Sequence, residues 1–493
     1  MYQYDLIIIG SGPGGFSAAM RALDHGLNVC LIEGRHLGGA GIMNGALTSK
    51  TLYELSQDYA VAARVDRGYR ASGLGVDFNE VRKTVLKAAK EKQYQMLSQI
   101  ETYSPKNETK GSIVLEYGWA HFMDAHTVEV TSIDNTKQLT ADYFIIATGS
   151  RPREIPSLHI DGERIITSDH ILGLDKFPER MLIIGSGIIG CEFATIFSNF
   201  KQTEVHLLDR ANRVIPVEDN DVSDFVSKNL EENGVIIHYT ASLRTIRKHT
   251  DHLEVVLDYD DGHSKVIEVD IALVAIGRIP NTDNLGLESI GIEKTANGTV
   301  QIKDDCMLYD EAGTCHIYAA GDITGHAQLY SVAELQGRLA VEKISNDPGY
   351  PLDYRNMSTL MFFKPEVAAV GMNEKKLQEK GIPYKVAFYS NILVNRAIAM
   401  RNTNGFVKII VSNDDHNHIL GMRAAGPQAS AFIVSVAHLI NQRNSLDEVL
   451  QIFYPHPSIS EGIQECLRLF TSKSIYKPTA FPDLIHVREW KPE

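Results

Sequence analysis

Cysteine is scarce and scattered. Cys30, Cys191, Cys306, Cys315 and Cys466 are the whole complement, odd in number, and no two make a C-x-x-C or similar close pair. Neither a disulfide framework nor a zinc site is indicated by that spacing. Long apolar runs are missing as well, since no segment reaches the ~18 consecutive apolar residues that a membrane span needs. The opening MYQYDLIIIG enters an apolar strand almost at once. That leaves no room for a signal or transit peptide, so cytoplasmic residence is expected. Positive charge is in deficit too: the formal net charge is −14, which argues against a general nucleic-acid binder. The basic run Arg82, Lys83, Lys87, Lys90 and Lys92 reads as a solvated helix face. What remains is ordinary globular material, 44% hydrophobic and 22% charged, and 493 residues suggest about three domains.

The first pattern of note is an apolar strand, Leu6 to Ile9, that runs into Gly10-Ser11-Gly12-Pro13-Gly14-Gly15 and a helix from Phe16 to about Asp24. A second apolar strand, Asn28 to Ile32, ends at Glu33. This is a complete βαβ unit with GxGxxG at its strand-to-helix turn. An amphipathic helix around Val81, Val85 and Ala88 follows, then alternating segments near Ile113–Trp119 and Thr127–Thr131 that suggest a β-meander. The strand Tyr143 to Ile146 leads into Ala147-Thr148-Gly149, with Pro152 and Pro156 marking a crossing between domains. The pattern then repeats: Met181 to Ile184, the turn Gly185-Ser186-Gly187-Ile188-Ile189-Gly190, a helix from Cys191, and the strand Glu204 to Leu208 closed by Asp209. Later strands end at Gly277-Arg278 and Gly321-Asp322, and from about Pro351 the glycine fingerprints cease. The closing stretch 471–493, rich in Pro, Lys and aromatics, is expected to lie over the surface.

Each glycine of the fingerprint has a physical task. Gly10 and Gly185 permit the tight turn, Gly12 and Gly187 let backbone approach a pyrophosphate, and Gly15 and Gly190 let helix pack on strand. The helix N-terminus offers unpaired N–H groups and a favourable dipole to phosphate. Glu33 and Asp209, each about twenty residues on, are placed to accept ribose hydroxyls. Asp209 favours NAD, because a carboxylate repels a 2′-phosphate, whereas the adjacent Arg210 and Arg213 would suit NADP.

With both fingerprints in place, the chain resembles the flavin-dependent pyridine nucleotide–disulfide oxidoreductases, of the dihydrolipoamide dehydrogenase kind, up to about Phe470. The resemblance implies an α/β fold. Two Rossmann-like dinucleotide-binding domains, for FAD and NAD(P), would be followed by a C-terminal α+β dimerisation domain. The implied divisions are 1–152 and 282–350 for FAD, 153–281 for NAD(P), 351–470 for dimerisation and 471–493 as a tail. It further implies that Gly10, Gly12, Gly15, Glu33, Gly39, Lys50, Thr148, Gly149, Gly321 and Asp322 serve FAD. Gly185, Gly187, Gly190, Asp209, Arg210 and Gly277 would serve NAD(P). Lys50 and Glu192 match the lysine–glutamate pair beside the flavin, and His456 with Glu461 matches the acid/base pair that completes the partner subunit's site in a homodimer.

The departure from the family pattern lies in its redox loop, GGTCxNxGCxPxK. Here the run reads Gly38-Gly39-Ala40-Gly41-Ile42-Met43-Asn44-Gly45-Ala46-Leu47-Thr48-Ser49-Lys50, with Gly41 and Ala46 where the family has cysteines. Neither residue can form a thiolate or a disulfide. Tyr454 also stands where the family has the first histidine of HxHPTxSE, and Ala431 where lipoamide dehydrogenases carry a glutamate. The leading expectation is therefore an NAD(P)H oxidoreductase that uses FAD and a small-molecule, non-disulfide acceptor such as a quinone. Soluble transhydrogenase, dihydrolipoamide dehydrogenase by label alone, and a non-catalytic flavoprotein sensor or assembly subunit are the alternatives. Small residues at 41 and 46 are expected to open space for a flat acceptor.

Overall fold

The computed structural model describes residues 2–308, 316–442 and 446–492, so Cys315 lies outside the described residues. The chain divides into two compact units, Met1–Phe177 with Ile276–Leu352, and Pro178–Ala275 with Asp353–Glu493.

The first unit is built on a sheet in which Ser112–Tyr117, Asn28–Glu33, Tyr4–Ile9, Thr136–Ile146, Thr127–Thr131 and Trp119–Asp124 are successive neighbours, with Ile317–Ala319 also paired to Thr136–Ile146. Parallel pairing sets Leu6 against Val29 and Tyr143, and Ile9 against Ile32 and Ile146. Leu6, Ile7, Ile8 and Ile9 are all buried, which is why this strand is continuously apolar rather than alternating. The expected meander is only partly present. Ser112–Tyr117 joins the parallel part of the sheet beside Asn28–Glu33, and the antiparallel ribbon begins at Trp119. Helix Pro13–Asp24 starts before the expected Phe16, because proline suits the first helical position. The crossing strands Ser150–Pro152 and Arg278–Pro280 pair antiparallel with each other inside this unit.

The second unit contains the repeat. Ile236–His238, Glu204–Leu208, Arg180–Ile184 and Ile271–Val274 lie side by side in parallel. Helix Ile188–Phe200 is buried along almost its whole length. The C-terminal part of the unit is a sheet ordered Ser358–Met361, Val367–Gly371, Ile419–Ala425, Phe406–Ser412, Tyr384–Ser390 and Ile485–Trp490. Ala368, Val370, Ile409 and Met422 of that sheet pack in one core with Ile433, Val436 and Ile463 of the helices beside it. The closing stretch does not merely lie over the surface. Its strand pairs antiparallel with Tyr384–Ser390, with Trp490 opposite Tyr384 and Arg488 opposite Val386.

Candidate functional site

Both fingerprints adopt the same local structure. In the first, Gly10 has φ +103°, and a Cβ there would lie 2.4 Å from the Ala147 carbonyl oxygen. A Cβ on Gly15 would lie 1.8 Å from the Gly10 carbonyl oxygen, so only glycine allows the helix this close to the turn. Gly12 is the N-cap, its helix has no side-chain cap, and a Cβ at Gly12 would meet nothing within 4 Å. The second turn repeats these features: Gly185 has φ +107°, a Cβ on Gly190 would lie 1.9 Å from the Gly185 oxygen, and Gly187 is an uncapped N-cap facing open space. Two helix N-termini thus keep unpaired N–H groups with room for a pyrophosphate, the geometry the dinucleotides require.

The acids are anchored by the glycine turns themselves. Glu33 Oε2 accepts from Ser11 N at 3.0 Å and Ser11 Oγ at 2.5 Å, and Oε1 accepts from Arg35 N at 2.7 Å. Asp209 is held in the same manner by Ser186 N at 2.6 Å, Ser186 Oγ at 2.8 Å and Ala211 N at 2.9 Å. Sequence reading passed over Ser11 and Ser186. Their signal was the shared Gly-Ser-Gly of the two turns, which becomes meaningful once the acid is seen to fold back on it. Arg210 is exposed, whereas Arg213 is paired with Asp224 at 3.5 Å.

Around the end of the first sheet, Thr148 Oγ1 donates to the Asn281 carbonyl at 2.7 Å, and Asn281 returns a bond to the Thr148 carbonyl at 2.8 Å. Asn281 N also donates to the Gly149 carbonyl at 2.9 Å. Asp322 accepts from Ser150 Oγ at 2.5 Å, and Ser150 Oγ in turn accepts from Arg278 Nε at 2.8 Å. The amide of Gly321 is fixed by the wholly buried Gln336 at 2.8 Å. Gly277 belongs to this first unit, where its carbonyl accepts from Arg153 N at 2.9 Å.

The loop between the fingerprint and Lys50 forms two helices, Gly39–Ile42 and Ala46–Ala62. Gly39 has φ +51°, and a Cβ on it would approach the Gly12 Cα at 3.3 Å. The space expected at position 41 is not there. A Cβ on Gly41 would lie 2.6 Å from Pro13 Cγ and 3.1 Å from Tyr330 Cε2, so those two rings already fill the spot. Lys50 is half-buried on Ala46–Ala62 in the first unit. Glu192 is buried on Ile188–Phe200 in the second, with its Oε1 accepting from Phe362 N at 3.1 Å.

His456 and Glu461 do come together. Their Nδ1 to Oε1 separation is 2.7 Å, and Glu461 Oε2 accepts from Ser458 N at 2.9 Å. The carboxylate fixes the ring by Nδ1, and the side chain is exposed. Tyr454, half-buried nearby in sequence, has its phenol pushed up by burial.

Residues 4–337 match the family described as pyridine nucleotide-disulphide oxidoreductase, and residues 357–467 match its dimerisation domain. The chain belongs to the pyridine nucleotide-disulphide oxidoreductase family. Members of this family are oxidoreductases that use FAD and NAD(P). Among curated relatives, the chain is similar to a dihydrolipoyl dehydrogenase of Bacillus subtilis, 31% identical over 477 residues that cover 96% of this chain and 98% of the relative. A dihydrolipoyl dehydrogenase of Buchnera aphidicola is 33% identical over 470 residues, 95% of this chain and 96% of that one. The solved structure of LpdA from Mycobacterium tuberculosis superposes with a TM-score of 0.84 at 26% identity, covering 94% of this chain and 99% of that one. The HOCl-induced flavoprotein disulfide reductase RclA from Escherichia coli gives 0.81 at 25% identity, with coverage of 94% and 100%. Among the described residues no helix is long and apolar enough to cross a membrane.

Proposed function

We propose that this chain is an NAD(P)H oxidoreductase of the family that delivers electrons to an acceptor other than a disulfide, a quinone-like small molecule being the class meant. The feature that supports this reading is the run 38–50, in which the resemblance sets Gly41 and Ala46 against the family's two cysteines. Among the described residues the other thiols give no substitute. Cys30, Cys191, Cys306 and Cys466 are free and buried. Burial pushes Cys30 and Cys306 up to about 12, and Cys191 and Cys466 are raised by the same cause. Such thiols are poor sources of thiolate.

Gly10, Gly12, Gly15, Glu33, Gly39, Lys50, Thr148, Gly149, Gly321 and Asp322 would hold FAD, which when bound supplies the two-electron relay. Gly185, Gly187, Gly190 and Asp209, with Arg210 and Gly277, would hold the nicotinamide dinucleotide. The anchored Asp209 favours NADH, since an added 2′-phosphate would face a fixed carboxylate. Lys50 and Glu192 are assigned to the hydride path. The net reaction is NAD(P)H plus a proton plus quinone giving NAD(P)+ plus hydroquinone, and His456 supplies that proton from Nε2 while Glu461 holds Nδ1–H. The dimerisation domain supports a homodimer, in which His456 serves the partner subunit's site.

Anaerobic titration with NADH, then NADPH, tests the reading. Full bleaching of the bound flavin without a long-wavelength thiolate band is expected, NADH acting at the lower concentration. Turnover with a benzoquinone should follow, and none with dihydrolipoamide. His456→Gln should lower quinone turnover by about 10²-fold while leaving the NADH bleaching intact. Dihydrolipoamide turnover, or no bleaching with either nucleotide, would overturn the proposal.

A further inference from the structure

We infer that the C-terminal strand Ile485–Trp490 positions the nucleotide-binding loop 209–219 through Arg488 and Glu374, which makes Arg488 a positioning residue for the nicotinamide dinucleotide. The inference rests on the assignment of the second fingerprint to that nucleotide. An unbroken run of bonds within the second unit supports it. Arg488 donates to both oxygens of Glu374, at 2.5 and 2.6 Å. Trp490 stacks on Tyr384 at 5.5 Å between centroids, and Tyr384 OH donates to Glu374 at 2.8 Å.

Glu374 and its neighbours grip the loop. Asp219 accepts from the amides of Glu374 and Lys375 at 3.1 and 3.2 Å, and from Lys408 Nζ at 2.8 Å. Lys408 also reaches Asp221 at 2.6 Å and Glu374 at 3.2 Å. Asn373 donates to the Val217 carbonyl at 2.9 Å, and Lys375 Nζ to the carbonyls of Pro216 and Glu218. Arg423 binds the Glu218 carboxylate at 2.8 Å. The other end of the loop returns to the fingerprint: Ile215 N donates to the Ser186 carbonyl at 2.9 Å, and Ser186 is the residue that anchors Asp209.

Ile215 itself shows that the loop needs outside support. It is fully buried at φ +47°, a left-handed conformation that a β-branched residue adopts only when its surroundings enforce it. Loosening Glu374 should let the loop relax and move Ser186 and Asp209 with it.

The test is made anaerobically on the full-length protein with its FAD already reduced, so that NADH binds without hydride transfer, with NADH binding read by calorimetry and loop mobility by amide hydrogen exchange. Arg488→Met is expected to weaken NADH binding by about threefold to thirtyfold, to speed exchange in residues 210–219, and to leave FAD content unchanged. Arg488→Lys keeps the charge beside Glu374 and should recover most of the affinity, which a general loss of stability would not produce. Should Arg488→Met fail to fold, Arg488→Lys still decides, since one lost hydrogen bond predicts a small but measurable rise in Kd. Wild-type NADH affinity with unchanged exchange in a folded Arg488 variant would overturn the inference. Failure of the unaltered protein to bind NADH or NADPH would instead overturn the nucleotide assignment beneath it.

Discussion

Lys408→Met is expected to destabilise the second unit by about 3–5 kcal/mol, seen as earlier melting in thermal or urea unfolding. The lysine sits in Phe406–Ser412, whose other residues up to Val411 are buried and apolar, and its side chain is wholly shielded from solvent. Its Nζ is the common partner of Asp219, Asp221 and Glu374 at 2.8, 2.6 and 3.2 Å. A methionine would fit the space but leave Asp219 without its cation, while Glu374 keeps Arg488. Most of the loss is the penalty for uncompensated buried charge rather than for a missing bond. Adding Asp219→Asn to Lys408→Met should therefore recover part of the stability, and a double variant no better than the single would refute this account. The pH dependence has a definite sign. Burial alone would raise the Asp219 carboxyl, but the charge and hydrogen bonds of Lys408 outweigh it and hold the group below the ordinary carboxylate value. Its contribution is thus present above that ordinary value and is lost as pH falls through the depressed one. Lys408→Met should flatten this acid limb of the stability curve.

Two alanines, at Gly15 and Gly12, are expected to separate what the first fingerprint does for the fold from what it does for FAD. Gly15→Ala places a methyl 1.8 Å from the Gly10 carbonyl oxygen and 2.9 Å from its carbon, both backbone atoms that cannot step aside. Overpacking of this kind costs about 1–3 kcal/mol, which corresponds to about five- to 150-fold in an equilibrium constant. Both Tm and FAD content should fall. Gly12 has φ −63° and open space at its Cβ, so Gly12→Ala should leave the Tm of the FAD-free protein unchanged. Under the proposed assignment of this turn to FAD, its methyl would enter the approach of the pyrophosphate, so FAD affinity should drop by about tenfold. Full FAD retention in Gly12→Ala would remove this turn from the cofactor site.

The parts legible from sequence were those in which local chemistry repeats. Two strand–glycine–helix turns, each with an acid at a fixed remove, announce their geometry without any long-range knowledge. The serine locks were half-visible, because Ser11 and Ser186 occupy equivalent places but a serine in a turn carries no message by itself. The Lys408 cluster was not legible: its members stand at 219, 221, 374, 408 and 488, and only folding gathers them. The one hint was a lysine embedded in Phe-Val-Lys-Ile-Ile-Val, where an apolar strand has no place for an unpaired charge. At Gly41 the small residue suggested room. That fails because Pro13 and Tyr330, remote from each other in sequence, both close on it.

The last strand also changes what the molecule presents to its own kind. Without it, Tyr384–Ser390 would end the C-terminal sheet as an edge, a row of open amides and carbonyls along a strand in which Tyr384, Val386, Ala387 and Tyr389 are buried. Such an edge is a template for pairing with another chain. Ile485–Trp490 covers that row and substitutes an outer edge bearing Arg488 and Glu489, with Lys491 and Pro492 directly after it. Charge and proline are the devices by which sheets discourage unwanted partners. Ile485–Trp490 therefore covers an edge that could otherwise pair with another chain, and removing this strand would be expected to promote aggregation.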